Sequence, residues 1–327
     1  MQAKTVLVIT APGQGAQTPG FLSPWLEVPG VAERLAGWSD LAECDLIRYG
    51  TTGTEDEIKD TAVAQPLLVA AALAAAEALF DDGLPATGPG LVTAGHSVGE
   101  LAAGVIAGVL SASDAMRLVA VRGRAMAAAA AVRATGMTAL LGGDEEEVLA
   151  SVEAHGLTPA NVNAPGQIVA AGTLEQLAEF AADPPPRARL RPLTVAGAFH
   201  TVHMAPAVEA LRTAAATVTI SDPTIVLLSN RDGAAVTSGA DWLERIVGQV
   251  AAPVRWDQCQ RTLADLGVQA LIELPPAGTL TGIARRALPG VTLQAVKSPD
   301  DLETARKLIS EFGDVAGSAP ANPTEGS

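Results

Sequence analysis

One stretch constrains this chain more than any other: Leu91-Val92-Thr93-Ala94-Gly95-His96-Ser97-Val98-Gly99-Glu100. A short apolar run, the pattern of a buried strand, ends in Gly-x-Ser-x-Gly, and small residues of helical character follow from Leu101 to Gly108. Strand, sharp turn and helix together are the setting of a nucleophile elbow, in which a serine is lifted to the carboxyl edge of a sheet at the head of a helix. Gly95 and Gly99 lack Cβ atoms, so the chain can bend tightly and its neighbours can approach. A plain glycine-rich turn would satisfy the five-residue pattern alone. The flanking strand and helix favour the elbow.

At 327 residues the chain can build one large domain or two smaller ones around a sizeable core. It is rich in alanine and glycine and poor in aromatics. The 36 acidic against 21 basic side chains give a net charge of −15, which argues against nucleic acid or an anionic membrane as the main partner. Cys44 and Cys259 stand far apart with no metal-like spacing and suit a reducing, cytoplasmic setting. The apolar run after Lys4 is too short for a signal-peptide core, and no apolar run is expected to reach bilayer length.

Thr5 to Thr10 is continuously apolar, as a central parallel strand covered on both faces requires. It empties into Pro12-Gly13-Gln14-Gly15-Ala16-Gln17, a loop able to aim backbone and amide donors at a ligand. Helices are expected over 65–80 and, with Ser113 as N-cap, over 114–131. Next come a strand at 137–141, a helix at 144–155, a weak strand at 160–163, a strand at 167–171, a helix at 173–182 and a strand at 189–195. That order, β-α-β-β-α-β, is the ferredoxin-like pattern, so residues 133–195 read as a small inserted subdomain. The larger subdomain, 1–132 and 196–312, resumes with helices at 203–218, 241–250, 256–266, 279–288 and 300–312 and strands at 224–229, 268–274 and 291–296. Alternating strands and helices predict an α/β fold with a mostly parallel sheet. Residues 313–327 read as a disordered tail.

A serine hydroxyl needs a base within hydrogen-bonding reach. Of the four histidines, His96 adjoins Ser97, where side chains diverge, and His155 ends a helix beside Gly156. His200 and His203 both follow Val195-Ala196-Gly197-Ala198-Phe199 at a strand-to-helix junction, where catalytic groups gather on such sheets. Sequence leaves both open. Arg122, set mid-helix between Val121 and Gly123, suits a carboxylate if it is buried; a solvated helix face is the alternative.

Five motifs occur in order: Pro12-Gly13-Gln14-Gly15-Ala16-Gln17, Gly95-His96-Ser97-Val98-Gly99-Glu100, Arg122-Gly123-x-x-Met126, Asn163-x-x-Gly166-Gln167-Ile168-Val169 and Gly197-Ala198-Phe199-His200. Together they resemble the malonyl-CoA:acyl-carrier-protein transacylases, from about Val6 to Val296. The resemblance implies an α/β-hydrolase-like large subdomain and ping-pong transfer of malonyl from malonyl-CoA to an acyl carrier protein, for fatty acid or polyketide synthesis. It implies Ser97 as nucleophile, His200 as base, Gln249 as the residue whose backbone carbonyl orients that base, and the N–H groups of Gln14 and Val98 as oxyanion hole. Arg122 would clamp the malonyl carboxylate, with Met126 close by and Asn161 or Asn163 in support. Phe199 beside the base resembles members that prefer unbranched malonyl. No metal or resident cofactor is implied.

The chain departs from the family pattern at Ala252-Pro253-Val254 and Pro275-Pro276-Ala277-Gly278, which puts the local geometry of two loops in question. An acidic carrier protein would need a basic patch, for which Arg187, Arg189, Arg191, Arg285 and Arg286 are the residues to consider. The rival readings are a serine esterase or thioesterase, which would orient its histidine with a carboxylate, a non-catalytic binding module, and a discrete acyltransferase serving a polyketide synthase in trans.

Overall fold

The computed structural model describes residues 6–80, 83–84, 88 and 90–312; the expected tail lies outside them. β1 (Leu7–Ala11) is followed by a 3-10 turn and by α1 (Val31–Ala42), α2 (Leu46–Thr52) and α3 (Glu55–Lys59), then by α4 (Thr61–Leu79). β2 (Leu91–Gly95) leads through the elbow into α5 (Gly99–Ile106), and α6 (Ala112–Val132) follows. The cap of α6 is Ser111, not Ser113. Ser111 is extended at its φ and ψ of −71° and 153° and accepts the Asp114 N–H at 3.0 Å, whereas Ser113 already lies in the first turn.

The middle of the chain forms β3 (Thr135–Gly142), α7 (Glu145–Ala154), β4 (Thr158–Ala164), β5 (Gln167–Thr173), α8 (Leu174–Ala182) and β6 (Ala188–Pro192). Asp144 and Thr173 cap the two helices with their side chains rather than joining them. Then come α9 (Ala205–Ala215), β7 (Val226–Leu228), β8 (Ala235–Val236), α10 (Gly239–Gln249), β9 (Val254–Arg255), α11 (Trp256–Asp265), β10 (Ala270–Glu273), α12 (Thr279–Ala287), β11 (Thr292–Ala295) and α13 (Leu302–Phe312). A short 3-10 turn, Val202–Met204, occupies the expected start of α9, with His203 inside it.

The large sheet runs β11-β10-β1-β2-β7-β8. Every pair in it is parallel except β7 with β8. β1 is central, and its apolar run is explained by two faces. Leu7 and Ile9 enter a core shared with α1, α4, α5 and α6, while Val6 and Val8 enter a second core with α11 and α12. The small sheet runs β6-β3-β5-β4-β9; its first four strands are antiparallel neighbours in ferredoxin-like order. Leu140, Val162, Ile168 and Ala170 pack it against Val148 and Val152 of α7 and Phe180 of α8. Met137, Ala160, Val169 and Ala171 join the larger core.

β9 is the Val254–Arg255 pair, so the departing Ala252-Pro253-Val254 segment leads into the strand that ties the two parts together. It pairs in parallel with β4 as Asn161↔Val254 and Val162↔Arg255. α4 corrects the expectation about apolar length: its 19 residues are long and apolar enough to cross a bilayer. Most of that helix is instead buried among α1, α2, α5 and α6.

Candidate active site

The elbow stands where β2 leaves the sheet beside β1. A Cβ on Gly95 would lie 2.0 Å from the Gly99 carbonyl carbon, and one on Gly99 would lie 2.2 Å from the Ala11 oxygen. The motif glycines are therefore demanded by close backbone approach. His96 donates its N–H to the Ala11 oxygen at 2.9 Å, fastening the turn to the end of β1. Ser97 has φ +54° and His200 has φ +60°. Non-glycine residues in the left-handed region are strained, and such strain gathers at functional sites.

Those two strained residues meet. Ser97 Oγ lies 2.7 Å from His200 Nε2, and His200 Nδ1 lies 2.8 Å from the Gln249 backbone oxygen. A carbonyl only accepts, so Nδ1 carries the proton and Nε2 receives the Ser97 hydroxyl. Around His200, Thr135 Oγ1 accepts the Ala198 N–H at 2.9 Å and the Val250 oxygen accepts the His200 N–H at 3.1 Å. Burial, with Arg122 adding to it, pushes the imidazole down to about 3, so it is neutral at ordinary pH.

Arg122, only 1% exposed, is the buried arginine that the sequence left undecided. It donates through Nη1 to Gln65 Oε1 at 2.7 Å and through Nη2 to Gln249 Oε1 at 2.9 Å, with Nη2 also 3.5 Å from Ser97 Oγ. Both firm partners are neutral amide oxygens. Burial lowers its basicity to about 10, against the pull of Glu100, and the guanidinium stays charged. A buried cation without a directly bonded carboxylate, facing a serine hydroxyl, has the chemistry to pair with an anion. Met126 Sδ accepts the other end of the Gln65 amide at 3.4 Å, which fixes that amide's orientation.

The remaining expected residues fall as follows. Gln14 and Val98 flank the elbow, and their N–H groups donate to nothing among the described residues; Val98 heads α5. The Gln14 amide turns away, to the Lys59 oxygen at 3.3 Å. Phe199 is buried immediately before His200. Asn163 Oδ1 lies 2.8 Å from His96 Nε2, so Asn163 is the asparagine that reaches the elbow; the Asn161 side chain bonds to nothing among the described residues. His203 does not meet Ser97, and His155 holds its own helix end through the Ser151 oxygen at 2.8 Å.

Arg187, Arg189 and Arg191 are exposed on or beside edge strand β6, with Arg187 paired to Glu147. Arg285 and Arg286 are exposed at the end of α12, where Arg286 Nη2 reaches across to Gln167 Oε1 at 3.0 Å. The Pro275-Pro276 segment, joined by a cis peptide bond, precedes α12. The start of that helix is fixed by buried Glu273 accepting the N–H groups of Gly278, Leu280 and Thr281.

Three contributors lay outside the sequence reading. Gln65, a lone amide in an apolar helix, carried a signal. Glu100 was visible as a motif letter without a role. It is buried, and its Oε2 accepts Gln249 Nε2 at 2.7 Å and the Asn230 N–H at 3.2 Å. Burial pushes its carboxyl up to about 7. Asn230 carried no signal.

Fold and site together define an α/β protein with a buried serine–histidine pair on a strand-to-helix elbow and a guanidinium facing it. The acyl transferase domain family matches residues 24–307. A Mycobacterium tuberculosis protein named malonyl CoA-acyl carrier protein transacylase is 55% identical over 303 residues, 93% of this chain and 100% of the relative. The crystal structure of the MCAT protein from Mycobacterium tuberculosis superposes with a TM-score of 0.89 at 54% identity, covering 92% of this chain and 99% of that one. A type II PKS acyl-carrier protein in complex with its malonyl-transacylase gives 0.85 at 30% identity, covering 93% and 99%. The chain belongs to the acyl transferase domain family, among its malonyl CoA-acyl carrier protein transacylases.

Proposed function

We propose that this chain moves a malonyl group from malonyl-CoA to the phosphopantetheine thiol of an acyl carrier protein through an ester on Ser97. The observation that carries the reading is the double setting of one hydroxyl: Ser97 Oγ is 2.7 Å from a neutral imidazole nitrogen and 3.5 Å from a buried guanidinium nitrogen. His200 Nε2 takes the proton as Ser97 Oγ attacks the thioester carbonyl. The Val98 and Gln14 N–H groups receive the developing oxyanion, helped by the positive end of α5. Collapse of the intermediate expels CoA thiolate, which takes the proton back from His200. The carrier thiol repeats the sequence on the ester, so thioester replaces thioester and the balance asks for no metal or redox cofactor.

Arg122 gives the preference for malonyl, because an acetyl group leaves the buried cation unanswered. The esterase reading is disfavoured by the acceptor on His200 Nδ1, a backbone oxygen and not a carboxylate. Arginines on β6 and α12, the basic edges of an acidic protein, are the proposed docking points for the carrier. Operation in the cytoplasm fits the free cysteines Cys44 and Cys259. Supply of fatty acid synthesis is the primary reading. The likeness to a complex containing a PKS carrier protein supports a polyketide role as the second.

Intact-protein mass after brief mixing with malonyl-CoA tests the reading. One malonyl adduct is expected on wild type and none on Ser97→Ala, with discharge by the phosphopantetheinylated carrier. Free malonate without transfer would instead establish a hydrolase.

A further inference from the structure

Ser97 is held in a left-handed conformation at φ +54°, and something must hold it there. Asn230 is fully buried just past β7. Its position follows from the sheet register: Leu227 pairs with Thr93, and three residues further along both strands bring Asn230 level with the elbow. Its amide spans the turn. Nδ2 donates to the Gly95 oxygen at 2.7 Å, and Oδ1 accepts the Ser97 N–H at 2.7 Å. These are the carbonyl and the amide that the turn removes from the ladder of β2, and one side chain satisfies both. The same Oδ1 accepts from Gln249 Nε2 at 3.2 Å, which couples the nucleophile to the residue that holds the base.

Asn230 is itself fixed. Its N–H goes to Glu100 and its oxygen receives the Arg255 N–H at 2.8 Å. The Gly95 oxygen can only accept and the Ser97 N–H can only donate, so the amide has one orientation, donor toward Gly95 and acceptor toward Ser97. We propose that Asn230 is a positioning residue, the clasp that keeps the elbow strained and Ser97 Oγ against His200. The proposal rests on Ser97 being the nucleophile, and it extends to any acyl group, since the clasp lies behind the serine and touches neither Arg122 nor the acyl chain.

The decisive substitution is Asn230→Asp. It keeps shape and keeps an acceptor for Ser97, but sets a carboxylate oxygen against the Gly95 oxygen. Protonation converts that oxygen into a donor and restores the clasp. Glu100 from α5 and Cys259 from α11 face the position, with Arg122 of α6 one amide away. Burial favours the protonated aspartic acid as pH falls, and the Glu100 carboxyl adds to this only above its own titration at about 7, so Asn230→Asp is compared with wild type at each pH. His200 stays neutral through that range, so the base does not obscure the result.

The readout is the rate at which a serine-directed fluorophosphonate labels Ser97, followed from pH 8.5 to 5.5. This reports the nucleophile whatever acyl group the enzyme prefers. Malonyl and acetyl loading are measured in parallel. Asn230→Asp should label at least about tenfold more slowly than wild type at pH 8.5 and regain most of that loss by pH 5.5. Malonyl and acetyl loading at pH 8.5 should fall by the same factor, with KM for malonyl-CoA unchanged. Labelling equal to wild type at pH 8.5 overturns the proposal, and so does a loss that does not recover on acidification, since misfolding alone would give no recovery. Asn230→Ala, if it folds, should be slow at every pH. Failure of wild type to accept malonyl while still labelling would sink the proposed function and leave the clasp standing.

Discussion

His200 gives its Nδ1 proton to the backbone oxygen of Gln249 at 2.8 Å. The side chain of that same glutamine accepts from Arg122 at 2.9 Å. One residue thus serves the base with its main chain and the guanidinium with its amide. The amide is aimed by Glu100 and Asn230, which both accept from Nε2. An acceptor-only pair at that end forces the oxygen toward Arg122.

Gln249→Ala therefore separates the two services. The backbone oxygen survives, so His200 should keep its tautomer and acetyl loading should change less than about threefold. Arg122 loses one of two firm acceptors, and malonyl loading should fall about tenfold, the worth of a hydrogen bond to a charged group. Equal losses for both acyl groups would mean that the side chain does not act through Arg122.

The depressed basicity of His200 sets a pH profile. With its imidazole pushed down to about 3, the reactive neutral form persists far below the ordinary histidine value near 6.5. Labelling of Ser97 by a fluorophosphonate should show its acid limb below pH 5. A limb centred between pH 6 and 7 that persists in Glu100→Gln would refute this account of the base.

Glu100 gives the opposite sign in stability. Its folded carboxyl sits at about 7, against an ordinary value of 4.5, so between those values the folded state binds the extra proton. The group's contribution is fully present below about pH 4.5 and is lost as pH rises through 7. Relative to Glu100→Gln, which does not titrate, wild type should lose about 3 kcal/mol between pH 4.5 and 8. Urea melts of both proteins across that range measure it; a constant difference would place the Glu100 carboxyl back at its ordinary value.

The sequence disclosed what repeats a local physical rule. Continuous apolar runs announced β1 and β2, and glycine spacing announced the elbow. The ferredoxin-like order of β3 to β6 followed from alternating patterns. The two-residue strands β8 and β9 are too short to leave a period, and α1 to α3 fall in a stretch without a sharp one. The pattern around Ser113 does not show that the chain stays extended through the Leu110–Ile220 bridge and that the helix already begins after Ser111. Gln65, Glu100 and Asn230 come to the site from α4, α5 and the end of β7. Their meeting is a property of the sheet order, which no local pattern encodes.

Arg122→Ala should cut malonyl loading on the order of a hundredfold, the scale of leaving a substrate charge unpaired in a buried pocket. Acetyl loading should hold or rise, because the cation that an acetyl group would leave uncompensated is gone. Mass spectrometry of the acyl-enzyme with an equimolar mixture of the two thioesters gives the ratio directly. An unchanged ratio would remove Arg122 from the account of specificity. Arg122→Lys should rescue little, since a lysine cannot span Gln65 and Gln249 in the planar fork that the guanidinium uses.

The basic edges make the last prediction. In register on β6, Arg189 and Arg191 pair with Leu141 and Ala139, so they project from one face of an exposed edge strand, and Arg285 and Arg286 end α12. Their surroundings are acidic on average, with 36 acidic to 21 basic side chains in the chain. An acidic carrier would thus be repelled except where such arginines face it. Each contributes little alone, so Arg189→Glu/Arg191→Glu and Arg285→Glu/Arg286→Glu should be tested as pairs and together. Loading from malonyl-CoA should stay within about twofold of wild type. Transfer to the carrier should lose about tenfold in kcat/KM for the combined variant, through KM, and the deficit should shrink as ionic strength rises past the range where the Debye length falls below about 8 Å. Transfer that ignores both reversals and salt would show that the carrier docks elsewhere on the chain.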